Sequence, residues 1–172
     1  MYIMKNVQQQ RANVKRSLAI FLEMDNVKYN ILEDSDQRVL IHTSFGFEHG
    51  TMGYYIDYQA DFQCIHFRSF SHQYIPENKR NEVQTFYSKV NENTAHWGSI
   101  HLNITDGSSF SKSAFLIDDM EDLNLDIIRK HFALNYNNLS NFLGAALKIG
   151  FGNYTWERAY NELLNIKDPS LN

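Results

Sequence analysis

The stretch YIPENKRNEVQTFYSKVNENTAHWGSIHL, residues 74–102, joins a proline-led helix to a strand and decides the fold. Pro76 suits the first position of a helix, where its missing N–H would have no partner in any case. Apolar side chains then recur at helical spacing, at Val83, Phe86, Tyr87 and Val90. After Gly98 apolar and polar residues alternate through residues 100–105, as in a strand. We therefore expect a helix over residues 76–94 and a strand directly after it.

Four strand segments precede this helix. They are VKYNILED, QRVLIHTSF, GTMGYYIDYQAD and FQCIHFRSF, with turn residues between them at DSD, FEHG and AD. In the third segment Tyr54, Ile56 and Tyr58 share one face, and the residues between them share the other. Such alternation predicts an antiparallel sheet with one buried face. Before the strands, a first helix over residues 6–25 is indicated by apolar residues at helical spacing: Val14, Leu18, Phe21 and Leu22.

After the central stretch, the pair Asp106-Gly107 predicts a hairpin that leads into a sixth strand, SFSKSAFLI. Asn124 can cap a third helix over residues 124–149, although Asn135-Tyr136-Asn137-Asn138 is poor helix material and predicts a bend or fray. Two glycines at 150 and 152 should end that helix, and residues 153–166 suggest a short last one. The order predicts an α+β domain with an antiparallel sheet of five or six strands.

Bulk properties limit the classes of function. The 172 residues fit a single domain, with its core at about residues 6–150 and a helical extension at 153–166. A net charge of −4 without clusters of Lys and Arg predicts no nucleic-acid partner and no membrane partner. Cys64 has no second cysteine in the chain to pair with, and no signal peptide or membrane helix is recognisable. We expect a cytoplasmic protein.

The order of elements, with these residues at its joints, resembles the YbjN family, also called bacterial sensory transduction regulator-like proteins. The likeness covers about residues 10–150. It rests on FLEMDNVKYNILEDSDQRVLI after the first helix and on IPENKRNEVQTFYSKVNENTAHWGSIHLNITDG in the middle. It continues through SKSAFLIDDMEDLNLDII to LGAALKIGFG. These motifs are core and turn residues rather than invariant chemical groups.

The resemblance implies a fold similar to that of type III secretion chaperones, in which helices pack on an antiparallel sheet, often in a homodimer that binds an extended partner chain. It implies a non-enzymatic binding or regulatory role, with no catalytic residue to carry over. The small residues Gly144, Ala145 and Ala146 would permit close approach of another element and so favour a homodimer. In the alternative, residues 153–166 fold back over that surface and leave a monomer.

Candidate chemistry from single residues is weak. His42, His66 and His101 lie on three predicted strands, but none of the usual zinc-ligand spacings accompanies them. Cys64 and His66 would share a strand face as a nucleophile and base, yet no oxyanion donor or orienting group is identifiable. We expect no catalytic residues, no metal and no cofactor.

Two further clusters have simple structural interpretations. The acidic residues around the third helix start favour capping and solvation, because DDMEDLNLD lacks the ligand spacing and turn glycine of a calcium loop. They are Asp118, Asp119, Glu121, Asp122 and Asp126. Gly46, Gly50 and Gly53 precede a strand rather than a helix, so they predict a hairpin connection and no phosphate site.

The aromatic residues are the remaining candidates for a binding surface. Ten tyrosines and twelve phenylalanines exceed what the core of such a chain needs, and aromatic residues are enriched at interfaces. We predict that Tyr55, Tyr58, Phe67 and Phe70 contact a partner, with Tyr54 as a further candidate. The competing interpretation is that these rings fill the layer between sheet and helices. The sequence thus favours a module that binds another protein or an extended peptide; the alternative is a small-ligand sensor with a pocket between sheet and helices.

Overall fold

The structure, a computed structural model, describes residues 2–94, 98–117 and 123–167. The elements follow one another as α1 (Tyr2–Met24), β1 (Tyr29–Asp34), β2 (Arg38–Phe47), β3 (Gly50–Gln59), β4 (Cys64–Tyr74), α2 (Arg80–Thr94), β5 (Ser99–Leu102), β6 (Ser108–Leu116), α3 (Leu125–Phe151) and α4 (Trp156–Lys167). The predicted α+β class and order of elements are confirmed, with six strands in the sheet.

All strand pairs in the sheet are antiparallel, and the spatial order is β1-β2-β3-β4-β6-β5. The two edges are therefore β1 and β5. Because β5 pairs only with residues 109–112 of β6, the last residues of β6 pair with β4 alone.

One face of the sheet is covered by helices and carries the apolar core. A first group of buried residues joins α1 and the start of α3 to β2, β3 and β4. A second group joins α2, α4 and the end of α3 to β5 and the strand ends nearest to it. We call the side of the sheet that packs on these helices the covered face, and the opposite side the open face.

A polar seam runs along the covered face where α3 crosses the sheet. Its centre is Asn135, which is fully buried and whose side chain accepts a hydrogen bond from Ser111 Oγ at 3.0 Å. The same amide donates to Ser113 Oγ at 2.6 Å and to the carbonyl of His131 at 2.8 Å. Serine side chains are small, so the helix can lie close to the strands. The predicted fray near Asn135 is wrong: its amide finds partners in the sheet, and α3 continues unbroken.

Most boundaries lie within a few residues of the predictions, and the differences have local causes. The chain after Pro76 first makes a short 3-10 turn, Glu77–Lys79, before α2 begins. Strand β5 ends at Leu102, because Asn103 Oδ1 accepts a hydrogen bond from the N–H of Thr105 at 3.1 Å and turns the chain. The predicted hairpin is present, with Gly107 in the left-handed region at φ +82°.

The features that favoured a homodimer are used inside the chain. A Cβ at Gly144 would lie 2.5 Å from His49 Nε2, so this glycine makes room for the β2–β3 turn. Ala146 is fully buried, and Gly150 packs against Ile75. Helix α4 folds back against α2 and α3, with Ala159 in the second core. The homodimer stays a prediction, but the small residues no longer argue for it.

Candidate functional site

The open face is the side of the sheet that the helices leave uncovered, and it carries the candidate site. Its side chains form rows across neighbouring strands, because residues in register on antiparallel strands point to the same side. One row contains His42, Tyr55, Arg68, Lys112 and Ser99. The next row contains Gly53, Phe70, Phe110 and His101. Aromatic and basic groups thus meet at the centre of the sheet.

Three rings form what we call the aromatic patch: Tyr55, Phe70 and Phe110. Tyr55 and Phe70 are stacked, with ring centroids 5.2 Å apart and planes 13° apart. Phe70 lies opposite Gly53, and a Cβ at that position would clash with its ring. The glycine therefore leaves room for the Phe70 ring to lie over the backbone of β3.

Phe110 extends the patch onto β6, directly opposite Phe70. The ring of His101 stacks on it with centroids 5.3 Å apart. The guanidinium of Arg68 lies 5.8 Å from the Phe110 centroid, within range of a cation–π interaction. The patch is thus bordered by a cation on one side and an imidazole on the other. Burial, followed by the charge of Lys112, lowers the pKa of His101.

Charges on the open face are of two kinds. Arg38 is neutralised: it donates to both oxygens of Asp57, at 2.7 and 2.9 Å, and to Glu33 at 3.2 Å. Burial alone would raise the pKa of Asp57, but the hydrogen bonds from Arg38 and Gln59 outweigh burial and lower it. Arg68 and Lys112, in contrast to Arg38, form no ion pair with a described carboxylate. They lie directly opposite each other on β4 and β6.

The four residues predicted to contact a partner are divided between the two faces. Tyr55 and Phe70 lie together on the open face, half-buried. Tyr58 and Phe67 are fully buried on the covered face, so their assignment to a partner surface is corrected. Tyr54 is buried as well, and its hydroxyl donates to the carbonyl of Phe132 at 3.1 Å.

Strand parity explains this division. Tyr58 is three residues from Tyr55, and Phe67 is three from Phe70, so each pair is split by the alternation of the strand. The sequence prediction missed Phe110, Arg68 and Lys112. Arg68 could have been found two residues before Phe70 on the same predicted strand, whereas Phe110 and Lys112 required knowledge that β6 pairs with β4.

The histidine and cysteine candidates are spread over three strands, and only Cys64 and His66 share one, β4. His42, His66 and His101 lie on β2, β4 and β5, so other strands separate them. Within the described ranges, no group of three or more His, Cys, Asp or Glu side chains could hold a metal ion. Burial, with a further contribution from the charge of Asp57, raises the pKa of the Cys64 thiol. A thiol with a raised pKa is a poor nucleophile at neutral pH.

The remaining predicted clusters either have a structural role or lie outside the described residues. Residues 118–122, which include four of the five predicted acidic residues, lie outside the described residues. Asp126, the fifth, is exposed in the first turn of α3, where its N–H donates to the cap Asn124 at 2.8 Å. Gly46 and Gly53 lie within strands, and Gly50 begins β3 after a tight turn, as expected for a hairpin.

A buried serine–histidine pair that the sequence did not predict lies on the covered face. His131 Nδ1 lies 2.9 Å from Ser113 Oγ, beneath the sheet. Asn135 donates to the same hydroxyl, and the imidazole packs between the rings of Phe67 and Phe115, at 5.8 and 4.9 Å. Burial lowers the pKa of His131. The group binds α3 to the sheet, and among the described residues no carboxylate orients the imidazole as in a catalytic triad.

An apolar groove opens where β6 is no longer paired with β5. It is lined by Phe115 and Leu116 from β6 and by Ile127, Lys130, His131 and Leu134 from α3, and its volume is about 650 Å³. This groove leaves space between β6 and α3 for a small apolar molecule.

Comparison with known proteins supplies no relative: no family model matches the chain, and neither a curated protein nor a solved structure matches it. The likeness to the YbjN family therefore stays a prediction. Among the described residues, no helix has both the length and the apolar character needed to cross a bilayer.

Proposed function

We propose that this protein is a non-enzymatic binding module, chaperone-like or adaptor-like, which holds an extended segment of another protein on the open face of its sheet. Such a role is similar to that of YbjN-type sensory transduction regulators, and we place it in the cytoplasm. The observation that carries the proposal is the aromatic patch, in which Tyr55 and Phe70 stack on an uncovered sheet.

The patch has the composition of a binding surface rather than of a solvated face. Aromatic side chains supply large contact areas and are enriched at protein interfaces, whereas exposed sheet faces usually carry small polar residues. Gly53 makes the flat arrangement of Phe70 possible. A ring held flat over a glycine keeps one side accessible without losing the support of the sheet.

The sheet edges offer a second route for an extended partner, but both are obstructed. Edge strand β1 carries a bulge between Ile31 and Glu33, and its Asp34 pairs with Arg11 and Lys15 of α1. Bulges and charges are common devices against edge pairing. At the other edge β5 has four residues, and α2 packs beside it. The open face is therefore the better candidate.

A comparative affinity experiment tests the proposal. The wild-type protein, the double variant Y55A/F70A and the control F151A are used as baits, and recovered proteins are quantified by mass spectrometry. Phe151 is an exposed aromatic residue at the end of α3, away from the open face. We expect at least one protein that F151A retains and Y55A/F70A loses, and that binds the purified wild-type chain directly.

Direct binding is then measured with the purified pair, beside the melting temperature of each variant. The proposal requires that Y55A/F70A lose affinity by about tenfold or more while remaining folded, since two interface aromatics typically contribute at least that much. Equal binding by all three baits would refute it. So would turnover of a defined substrate that disappears on substitution of His42, Cys64, His66 or His101 in a folded protein.

The second candidate function is a sensor of a small apolar ligand, and the groove between β6 and α3 favours it. Binding there would place the ligand against Phe115 and Leu134 and beside His131. Replacement of Leu134 by Trp would fill the groove. If that variant loses a ligand-induced rise in melting temperature while Y55A/F70A keeps it, the sensor is the better assignment.

A further inference from the structure

We propose that the segment bound on the open face is acidic, with a carboxylate two residues from an aromatic or other large apolar side chain. The carboxylate would bind between Arg68 and Lys112, and the apolar side chain would rest on Phe70 and Phe110. This inference rests on the proposed function and specifies the chemistry of its partner.

The two cations carry the argument. Arg68 and Lys112 are exposed and directly opposite each other on β4 and β6. Like charges in that position repel, so the pair destabilises the free protein unless an anion lies between them. Arg38 on the same face is already paired with Asp57 and Glu33, whereas no described carboxylate pairs with the central two. An uncompensated repulsion beside an aromatic patch is expected where a ligand supplies the missing charge.

The spacing on the sheet defines the ligand. Along β4, Phe70 follows Arg68 by two residues, and along β6, Phe110 precedes Lys112 by two. Two residues of a strand span about 6.6 Å, and alternate side chains point to one side. An extended segment has the same period, so its residues i and i+2 reach the cation pair and the aromatic patch together. Adjacent residues would point to opposite sides and could not.

The same face fits an acidic protein segment better than a nucleic acid. Binding to a phosphate backbone depends on many cations that follow the strand, and here two unpaired cations share the face with Asp57. A single carboxylate needs only one site between two cations, so it fits this face better than a phosphate backbone does.

Fluorescence anisotropy with synthetic peptides tests the inference. The probe is a labelled peptide of repeated Glu-Ser-Phe-Ser, and the comparison peptides are Gln-Ser-Phe-Ser, which lacks the charge, and Glu-Phe-Ser-Ser, which has the wrong spacing. We expect the probe to bind at least about tenfold more tightly than either, and to weaken as NaCl rises from about 50 to about 500 mM.

The matched variants are R68Q/K112Q and the control K28Q/K130Q, which removes two exposed lysines elsewhere. R68Q/K112Q should weaken probe binding about tenfold and should change the melting temperature little, because the repulsion that it removes offsets the lost contact of Arg68 with Phe110. The control should leave binding unchanged. F70A should weaken the probe and the Gln-Ser-Phe-Ser peptide alike, since it removes the ring and not the charge.

Several outcomes would overturn the inference. They are equal binding of the charged and neutral peptides, an equal loss in K28Q/K130Q, and tighter binding of a single-stranded oligouridylate than of the probe. Its failure differs from failure of the proposed function. If a recovered partner depends on Tyr55 and Phe70 but binds R68Q/K112Q normally, the open face is a protein-binding surface and the acidic specificity is wrong.

Discussion

Phe67 and Phe70 lie on the same strand, three residues apart, in opposite environments. Phe67 is fully buried beneath α3, near the rings of Phe115 and His131. Phe70 lies on the open face, where it stacks on Tyr55 and no helix covers it. The same residue type thus serves two environments: one ring fills the core, and the other lies on the face that no helix covers. Composition alone does not separate core from binding surface.

The largest expected difference between the two faces is in stability. Phe67→Ala should lower the free energy of unfolding by about 3–5 kcal/mol, because it leaves a cavity in a packed core. Phe70→Ala should lower it by about 2 kcal/mol, because the substitution removes a partly buried ring together with its stacking on Tyr55. Urea denaturation of both variants measures the difference. Equal losses would mean that Phe70 is a core residue and that the open face is not a separate surface.

The polar seam under α3 gives the next effect. Asn135→Ala should cost about 2–3 kcal/mol, since Ser111 Oγ and the carbonyl of His131 lose a buried partner. Asn138 is the matched control: it is partly buried and makes one long bond, 3.4 Å, to Ser111 Oγ. Its replacement by Ala should cost less than about 1 kcal/mol. If the two variants have equal denaturation midpoints, the polar seam does not stabilise the packing of α3 on the sheet.

The smallest effect is the pH dependence of stability from His131. Burial lowers its folded-state pKa below the ordinary value of 6.5, so the unfolded chain takes up the proton first as the pH falls. As the pH decreases from about 6.5 to the folded-state pKa, the free energy of unfolding should therefore decrease. Above about pH 6.5 it should not depend on this group. Replacement of His131 by Asn should reduce this dependence.

The pKa of His101 is also lowered, so this histidine acts in the same direction. His101→Asn, measured in parallel, separates the contribution of the open face from that of the core. An unchanged pH dependence in the His131 variant would show that its burial has no energetic consequence.

Much of the fold followed from local signals in the sequence. The change of apolar period near residue 27, the proline at the start of the second helix and the Asp106-Gly107 pair each predicted a boundary that the structure has within a few residues. The predicted fray near Asn135 was wrong because helix propensity is a local quantity, and the serines that satisfy this asparagine lie on β6, far along the chain.

The candidate site was predictable only in part. Tyr55 and Phe70 were chosen for their residue type, and the same criterion selected Tyr58 and Phe67, which the alternation of the strands directs into the core. Phe110 and Lys112 join the site because β6 inserts between β4 and β5. That pairing follows from long-range packing, for which the sequence of β6 alone contains no signal.

The most direct test of the central claim observes both rings of β4 during binding. Fluorophenylalanine is incorporated, and the fluorine NMR signals of Phe67, Phe70 and Phe151 are assigned by single Phe→Leu substitutions. On addition of the partner recovered in the affinity experiment, the Phe70 signal should shift or broaden, while those of Phe67 and Phe151 stay in place. A Phe70 signal that does not respond to a saturating partner would contradict the assignment of the open face as the binding surface.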